Sequence, residues 1–310
     1  MHPWVIPLCP DARRCGNKLA TLARMADAGL PTPGGVAVTA AAFEALVPTL
    51  PGLGDPPCDL AGLRRTHTQA RDAIRAVPWP PGFAEALARA CPGGPLAVRS
   101  SAGWEDTPDS SAAGQLGSVI GVAREGLRDA VAEVWASAFS PTALTHRLRV
   151  GRPPEPEPIA VGVQPLVPAE LSGVAYSAHP VTGDASVLVI EAINGLCGPL
   201  TDGRVVPAHL ELGRTGRVLT ERPSRQHVLA AYDPASAAVV DRPCAGPVTL
   251  PPTRIERIRH SLLLAEEVLG RPVDIEWSWG ATGFVLLQAR PIPRSHRGEM
   301  SPGLPLSPRS

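Results

Sequence analysis

Four polar side chains late in the chain have the types and spacing to hold a metal ion and a phosphate. Asp274 and Glu276 lie two residues apart, and so do Gln288 and Arg290. Both segments are rich in β-forming residues, and the turn-like stretch 280–283 separates them, so they predict a β-hairpin. Because side chains alternate between the faces of a strand, each pair shares one face of its strand.

If the register of this hairpin matches, two carboxylates, one amide and one guanidinium meet in a single patch. Buried charges are costly unless they are paired or bind ions. Carboxylate oxygens suit Mg²⁺, and a guanidinium suits a phosphate. The patch therefore predicts a metal–nucleotide site. A solvated sheet face with a salt bridge is the alternative that the residues leave open.

A second group of candidates follows the short apolar strand predicted at 96–98. Arg99, Ser100 and Ser101 come next, and then a loop of small and hydroxyl residues reaches Gly114 and Gln115. Such loops can close over phosphates through their backbone N–H groups. An ordinary surface loop with Ser and Asp turns is the alternative here.

The third candidate is Gly16, Asn17 and Lys18 at the predicted start of a helix. Helix N-termini favour anions, and a lysine adds a positive charge. The spacing of a Walker A motif is absent. A solvated lysine in the first turn of a helix is the ordinary interpretation of the same residues.

Composition narrows the class of protein. The chain has 310 residues and a formal net charge of zero, so nothing indicates binding to nucleic acid or to an anionic membrane. It has no long apolar span and no apolar leader-like segment, which predicts a cytoplasmic protein without membrane insertion. The six cysteines form no CxxC pair, and reduced thiols are expected.

Hydrophobic patterning divides the chain into parts. Helical patterns dominate residues 1–155, which we predict to be an N-terminal lobe with a phosphate-covering loop at about 99–118. Strand patterns dominate 156–294, the predicted C-terminal lobe with the metal-binding hairpin. A tail at 295–310 has little core material and is predicted to be disordered.

Taken in order, these motifs resemble the ATP-binding domain of the pyruvate phosphate dikinase and phosphoenolpyruvate synthase family, which also occurs in rifampin phosphotransferases. The resemblance runs from about Cys15 to Pro293. The segments that carry it are 16–22, 28–33, 97–101, 105–106, 113–115, 163–167, 172–175, 180–183, 195–196, 274–277 and 288–291.

The resemblance implies an α+β fold of the ATP-grasp type, with mixed or antiparallel sheets and a nucleotide cleft between two lobes. It implies that Lys18 and Arg99 contact the phosphates of ATP and that Arg290 steadies the phosphates in transfer, which makes these three the expected catalytic residues. The loop with Gly114 and Gln115 would be a mobile lid over the phosphates.

The same resemblance assigns the metal. Glu276 and Gln288 would bind Mg²⁺, and Asp274 would support Glu276 or the metal. Gln164 would lie beside the nucleotide on the central sheet. Cys197, in a Gly-rich loop, stands in a segment that lacks the acidic residue usual in the family, and this departure concerns nucleotide choice and turnover more than nucleotide binding.

The implied function is that of an ATP-dependent phosphotransferase. In the family, the domain passes the β-phosphoryl group of ATP to a histidine on a separate carrier domain and releases AMP. None of the eight histidines lies in a segment like that carrier, so a carrier in trans is expected. Two alternatives stay open: a non-catalytic ATP-binding regulatory module, and a self-contained ATP-grasp kinase or ligase that acts on a small acceptor.

Overall fold

The computed structural model describes residues 2–50, 59–91, 93–103, 116–244 and 246–292. Three predictions lie outside these residues: the lid residues Gly114 and Gln115, the acidic pair 105–106, and the tail 295–310. Among the described helices, none is both long and apolar enough to cross a membrane.

Eight α-helices and thirteen β-strands are found in the described residues. The helices are α1 (Ala12–Asp27), α2 (Ala40–Leu46), α3 (Leu60–Ala76), α4 (Phe83–Ala90), α5 (Leu127–Ala136), α6 (Pro141–Arg149), α7 (Gly198–Thr201) and α8 (Pro252–Leu269). The strands are β1 (Val5–Pro7), β2 (Val36–Val38), β3 (Leu96–Ala102), β4 (Ser118–Val122), β5 (Ile159–Pro165), β6 (Leu171–Tyr176), β7 (Val187–Asn194), β8 (Ala208–Gly213), β9 (Val218–Arg222), β10 (Val228–Asp233), β11 (Ala238–Pro243), β12 (Val273–Gly280) and β13 (Gly283–Pro291).

The first sheet has five strands in the order β1-β2-β5-β3-β4, and every neighbouring pair is antiparallel. Its central strands β3 and β5 are almost wholly buried; β5 is mainly apolar, whereas β3 also buries Ser100 and Ser101. Helices α3, α5 and α6 share one core with this sheet, and Trp135 and Phe139 are among its largest buried side chains. The buried centre gives Arg99, near the middle of β3, a rigid support.

The second sheet has six antiparallel strands in the order β13-β12-β6-β7-β8-β9. One face packs on α8, with Trp277 and Ile275 fully buried there. Residues of the opposite parity, including Glu276 and Asp274, point to the other face. The predicted hairpin is therefore present as β12 and β13, with the turn in the predicted place.

A short hairpin of β10 and β11 forms the third sheet. Leu196 forms an isolated bridge to Ala230 of this hairpin. Tyr232 and Val239 pack beside the small apolar cluster of Leu166, Leu196 and Ala230. The hairpin thus packs against Leu166, which follows β5 of the first sheet, and Leu196, which follows β7 of the second.

The α+β class with antiparallel sheets is confirmed. The lobe boundary near 155 stays a prediction, and β5, which follows it, is the central strand of the first sheet, so a division by sheets would fall between Pro165 and Leu171. Among the described strands, sequence patterns missed the short strands β1, β2 and β4 of the first sheet, and also β9, β10 and β11. β9 is almost wholly exposed and shows no alternation, and β10 contains a helix-compatible Leu-Ala-Ala run.

Candidate active site

A cleft of about 330 Å³ lies between the two larger sheets. The predicted residues Lys18, Arg99, Gln164, Glu276, Gln288 and Arg290 all line it. Its apolar walls come from Pro33, Ala97, Leu116, Ile120, Pro165, Leu166, Val167, Leu196 and Leu287. The cleft therefore has a polar, charged part and an apolar part, the combination that suits a ligand with a charged tail and a flat hydrophobic ring.

The arginine of the first sheet bridges to the hairpin of the second. Arg99 Nη2 donates to Glu276 Oε2 and to Gln288 Oε1, both at 3.0 Å. Arg99 Nη1 donates to the carbonyl oxygen of Leu287 at 2.9 Å. One guanidinium thus ties three acceptors of the hairpin to β3 and marks the point on which the carboxylate and the amide converge.

A β-bulge explains how Leu287 becomes an acceptor. Glu276 pairs with Gln288 and Trp277 pairs with Leu286, so Leu287 is the extra residue of β13. Its carbonyl lies outside the regular ladder, and bulges commonly re-aim groups beside functional sites. Alternation predicted the shared face of the two pairs correctly, but nothing in the sequence marks the bulge, because no glycine or proline accompanies it.

The second carboxylate of the hairpin has a different partner. Arg290 Nε donates to both oxygens of Asp274, at 2.8 and 2.9 Å. Burial raises the pKa of Asp274 to about 6, although the Arg290 guanidinium acts in the opposite direction. Asp274 does not line the cleft, so it contacts the site through Arg290.

The start of α1 brings Lys18 to the cleft through a kink. Gly16 has φ 72° inside the helix, and a Cβ there would lie 1.9 Å from the carbonyl oxygen of Ser101. Only glycine permits both this close approach and this left-handed backbone conformation. Ser101 Oγ then accepts from Leu19 N at 3.1 Å, which caps the helix beyond the kink. The predicted run at 16–18 is therefore packed directly on β3, next to Arg99.

Gln164 is 2% exposed and is held in place by the turn before β2. Its Nε2 donates to the carbonyl oxygen of Gly34 at 3.0 Å. At the neighbouring Gly35, with φ 111°, a Cβ would lie 2.4 Å from the carbonyl oxygen of Val163. The paired glycines at 34–35 were a signal for this close packing that the motif analysis did not use.

Cys197 and Thr201 also line the cleft, beside Leu196. Burial raises the pKa of the Cys197 thiol to about 12, and the Glu276 carboxylate adds to the shift. The thiol is therefore neutral at physiological pH and is a wall of the cleft rather than a nucleophile.

The donor set fits Mg²⁺ of the kind bound together with phosphates. The oxygens of Glu276 and Gln288 lie at hydrogen-bond distance from one nitrogen atom, so they face one point. Mg²⁺ is usually held by one or two protein oxygens, with phosphates and water completing its shell. Within the described ranges, no group of three or more His, Cys, Asp or Glu side chains is placed to hold a metal ion by itself.

Similarity to known proteins covers most of this chain. The sequence profile described as "Pyruvate phosphate dikinase, AMP/ATP-binding domain" matches residues 12–302. A probable phosphoenolpyruvate synthase from Staphylothermus marinus is 30% identical over 313 residues, which cover 86% of this chain and 37% of that protein. A rifampicin phosphotransferase from Streptomyces sp is 30% identical over 293 residues, which cover 89% of this chain and 34% of that protein.

These matches first define the class: an adenine-nucleotide-binding domain of the kind found in ATP-dependent phosphotransferases. Within that class, the chain belongs to the pyruvate phosphate dikinase AMP/ATP-binding domain family. It spans between a third and two fifths of the length of the curated relatives described above. An L-amino acid ligase from Bacillus licheniformis aligns with a TM-score of 0.32 and 15% identity over 82% of this chain and 47% of that chain, too low a similarity to support an argument.

Proposed function

We propose that this chain binds Mg²⁺–ATP in the cleft and transfers a phosphoryl group to the histidine of a carrier protein or domain in trans. The observation that carries the proposal is the convergence of Glu276 Oε2 and Gln288 Oε1 on Arg99 Nη2, at 3.0 Å each. A two-oxygen metal site, with a guanidinium beside it, is suited to a polyphosphate that brings its own oxygens.

The charged side chains have separate tasks in this proposal. Glu276 and Gln288 hold Mg²⁺, which neutralises phosphate charge. Arg99 of the first sheet, Lys18 of α1 and Arg290 of the second sheet bind phosphate oxygens, and Arg99 exchanges part of its contact with Glu276 for the nucleotide. Phosphoryl transfer depends chiefly on the positioning of the phosphates and on the neutralisation of their charge. Cationic side chains on both sides of the cleft do both.

The apolar part of the cleft takes the purine ring. Pro165, Leu166 and Val167 follow Gln164 at the end of β5, and Leu196 and Ile120 line the same cavity. Burying a flat ring against these side chains adds affinity that does not depend on the metal. The lid residues Gly114 and Gln115 lie outside the described residues and remain our predicted cover for the phosphates.

Isothermal titration tests the binding step. Mg²⁺–ATP should bind to the wild type with micromolar affinity, and excess chelator should weaken binding at least tenfold. Glu276→Gln removes the metal-binding charge and should abolish the effect of the chelator. Glu221→Gln, on the exposed strand β9, is the matched control and should behave as wild type. Equal affinity with and without Mg²⁺ in the wild type would contradict the metal assignment.

Labelled ATP tests the transfer step. The chain is mixed with β-³²P-labelled ATP and with the isolated histidine-carrier domain of a phosphoenolpyruvate synthase. Acid-labile label on the carrier, with release of AMP, is the expected result. Release of ADP without label on the carrier would favour a kinase that acts on a small acceptor. Binding without either nucleotide product would favour a regulatory module.

A further inference from the structure

Two cysteine thiols meet at the start of α1. The Sγ atoms of Cys9 and Cys15 lie 3.0 Å apart, and both residues are free cysteines. Cys9 belongs to the loop between β1 and α1, and Cys15 to the first turn of α1. A disulfide has an S–S distance of about 2.05 Å, so the two sulfur atoms need to approach by about 1 Å to bond.

We propose that Cys9 and Cys15 form a reversible disulfide site, which low-molecular-weight disulfides close and low-molecular-weight thiols reopen. This modification goes beyond the proposed phosphotransferase function and does not depend on it. The disulfide would clamp the loop after β1 to the helix that carries Lys18.

The two sulfur atoms have different access to a reagent. Cys9 is partly exposed, whereas Cys15 is fully buried. The Cys9 thiolate therefore attacks the reagent, breaks its S–S bond and expels one small thiolate. The Cys15 thiolate then attacks Cys9 Sγ and expels the second small thiolate. The protein dithiol loses two electrons, the reagent disulfide gains them, and the two thiol protons end on the expelled thiolates.

The second step should be the slow one. In the dithiol, burial raises the pKa of Cys15 to about 12, and the neighbouring Arg14 guanidinium acts in the opposite direction. The burial of Cys15 persists when Cys9 carries the small thiol, whereas the hydrogen bond from the Cys9 thiol does not. Since the thiolate is the reactive form, closure of the disulfide should accelerate about tenfold for each pH unit between 7 and 9. A lone accessible thiol would instead stop at a mixed disulfide with the reagent.

The helix beyond Cys15 is anchored independently of the two sulfur atoms. Asn17 Nδ2 donates to the carbonyl oxygen of Gly103 at 2.6 Å, and Leu19 N donates to Ser101 Oγ at 3.1 Å. The Gly16 backbone is pressed against Ser101. Bond formation should therefore displace Cys9 in its loop and leave Lys18 in place. We expect the oxidised protein to melt about 4 °C higher and to keep its affinity for Mg²⁺–ATP within twofold.

Peptide mapping tests the site directly, because trypsin cuts after Arg13, Arg14 and Lys18. The full chain is incubated with oxidised glutathione, alkylated and digested. The expected product is peptide 1–13 linked to peptide 15–18, which separates on reduction. Cys9→Ser and Cys15→Ala should each abolish the linked pair of peptides. If one variant folds poorly, the other still provides the test. Cys244→Ser, a partly exposed thiol elsewhere, should leave the linked pair unchanged.

The outcomes are separable. Glutathione that remains on Cys9 at pH 9, with no linked peptides, would overturn the proposal. So would a linked pair that low-molecular-weight thiols do not reopen, or one whose formation lowers the melting temperature or changes Mg²⁺–ATP affinity more than twofold. Absence of nucleotide binding in both the reduced and the oxidised chain would overturn the proposed function and leave the disulfide site standing.

Discussion

The two carboxylates of β12 are only two residues apart, yet their surroundings differ. Asp274 is 8% exposed and bonds through both oxygens to Arg290 of the neighbouring strand. Glu276 has a side chain that is 29% exposed and bonds to Arg99 of the other sheet. The first pair lies within one sheet, and the second crosses the cleft between two sheets.

This difference indicates which ion pair holds the site in shape and which one gives way to a ligand. A buried pair within a hairpin is fixed by its own strands, and breaking it leaves a charge without compensation. A partly exposed pair that spans a cleft can exchange one partner for a ligand at small cost. We therefore interpret Asp274–Arg290 as the fixed frame of the site and Glu276–Arg99 as the contact that the nucleotide and metal replace.

The largest expected effect is on stability, at the fixed pair. Arg290→Ala leaves Asp274 buried without its partner and should lower the free energy of unfolding by about 3 kcal/mol. Arg75→Ala breaks the exposed pair with Glu133 at 3.3 Å and should cost less than about 1 kcal/mol. Denaturant unfolding measures both. Equal losses in the two variants would remove the distinction between a fixed and an exposed pair.

A smaller effect is expected on nucleotide affinity, at the exchangeable pair. Arg99→Ala removes a charged donor from the phosphates and should weaken Mg²⁺–ATP binding by about 2 kcal/mol, or about 30-fold. Titration calorimetry measures this change. Arg24→Ala is the matched control, since Arg24 joins α1 to the carbonyl oxygen of Val268 outside the cleft. Affinity that falls equally in the control would indicate a general loss of structure.

The smallest effect is the pH dependence that Asp274 contributes. Because burial raises its pKa to about 6 in the folded protein, against 3.8 for an ordinary Asp, the folded state binds the proton more tightly. The contribution to stability therefore grows as the pH falls from 7 to 5, by about 1 kcal/mol. Asp274→Asn should lack this contribution. The free energy of unfolding of the wild type, measured relative to that of Asp274→Asn, should therefore increase as the pH falls from 7 to 5.

Part of the site could be predicted from the sequence because it depends on local geometry. Strand alternation placed Glu276 with Asp274, and Gln288 with Arg290, on the correct face. The bulge at Leu287 could not be predicted, because the residues around it are ordinary strand formers. The contact of Arg99 with the hairpin joins residues 177 apart in sequence, and no local pattern determines such a distance.

The fold, like the site, could be predicted only where a local sequence pattern determines it. Long amphipathic helices such as α3 and buried strands such as β5 follow from periodicity. β9 and β10 were missed because an exposed edge strand and an alanine-containing strand have no clear period of two. The kink at Gly16 depends on how closely α1 approaches Ser101, which becomes definite only when the sheet is assembled.

The most direct test of the account compares metal binding at the two carboxylates. Mn²⁺, used in place of Mg²⁺, is titrated into the chain with saturating ATP, and electron paramagnetic resonance measures the free Mn²⁺. Glu276→Gln should weaken Mn²⁺ binding at least tenfold, whereas Asp274→Asn should leave it within threefold of wild type. If Asp274→Asn weakens Mn²⁺ binding as much as or more than Glu276→Gln does, the assignment of Glu276 as the metal ligand and Asp274 as the support is contradicted.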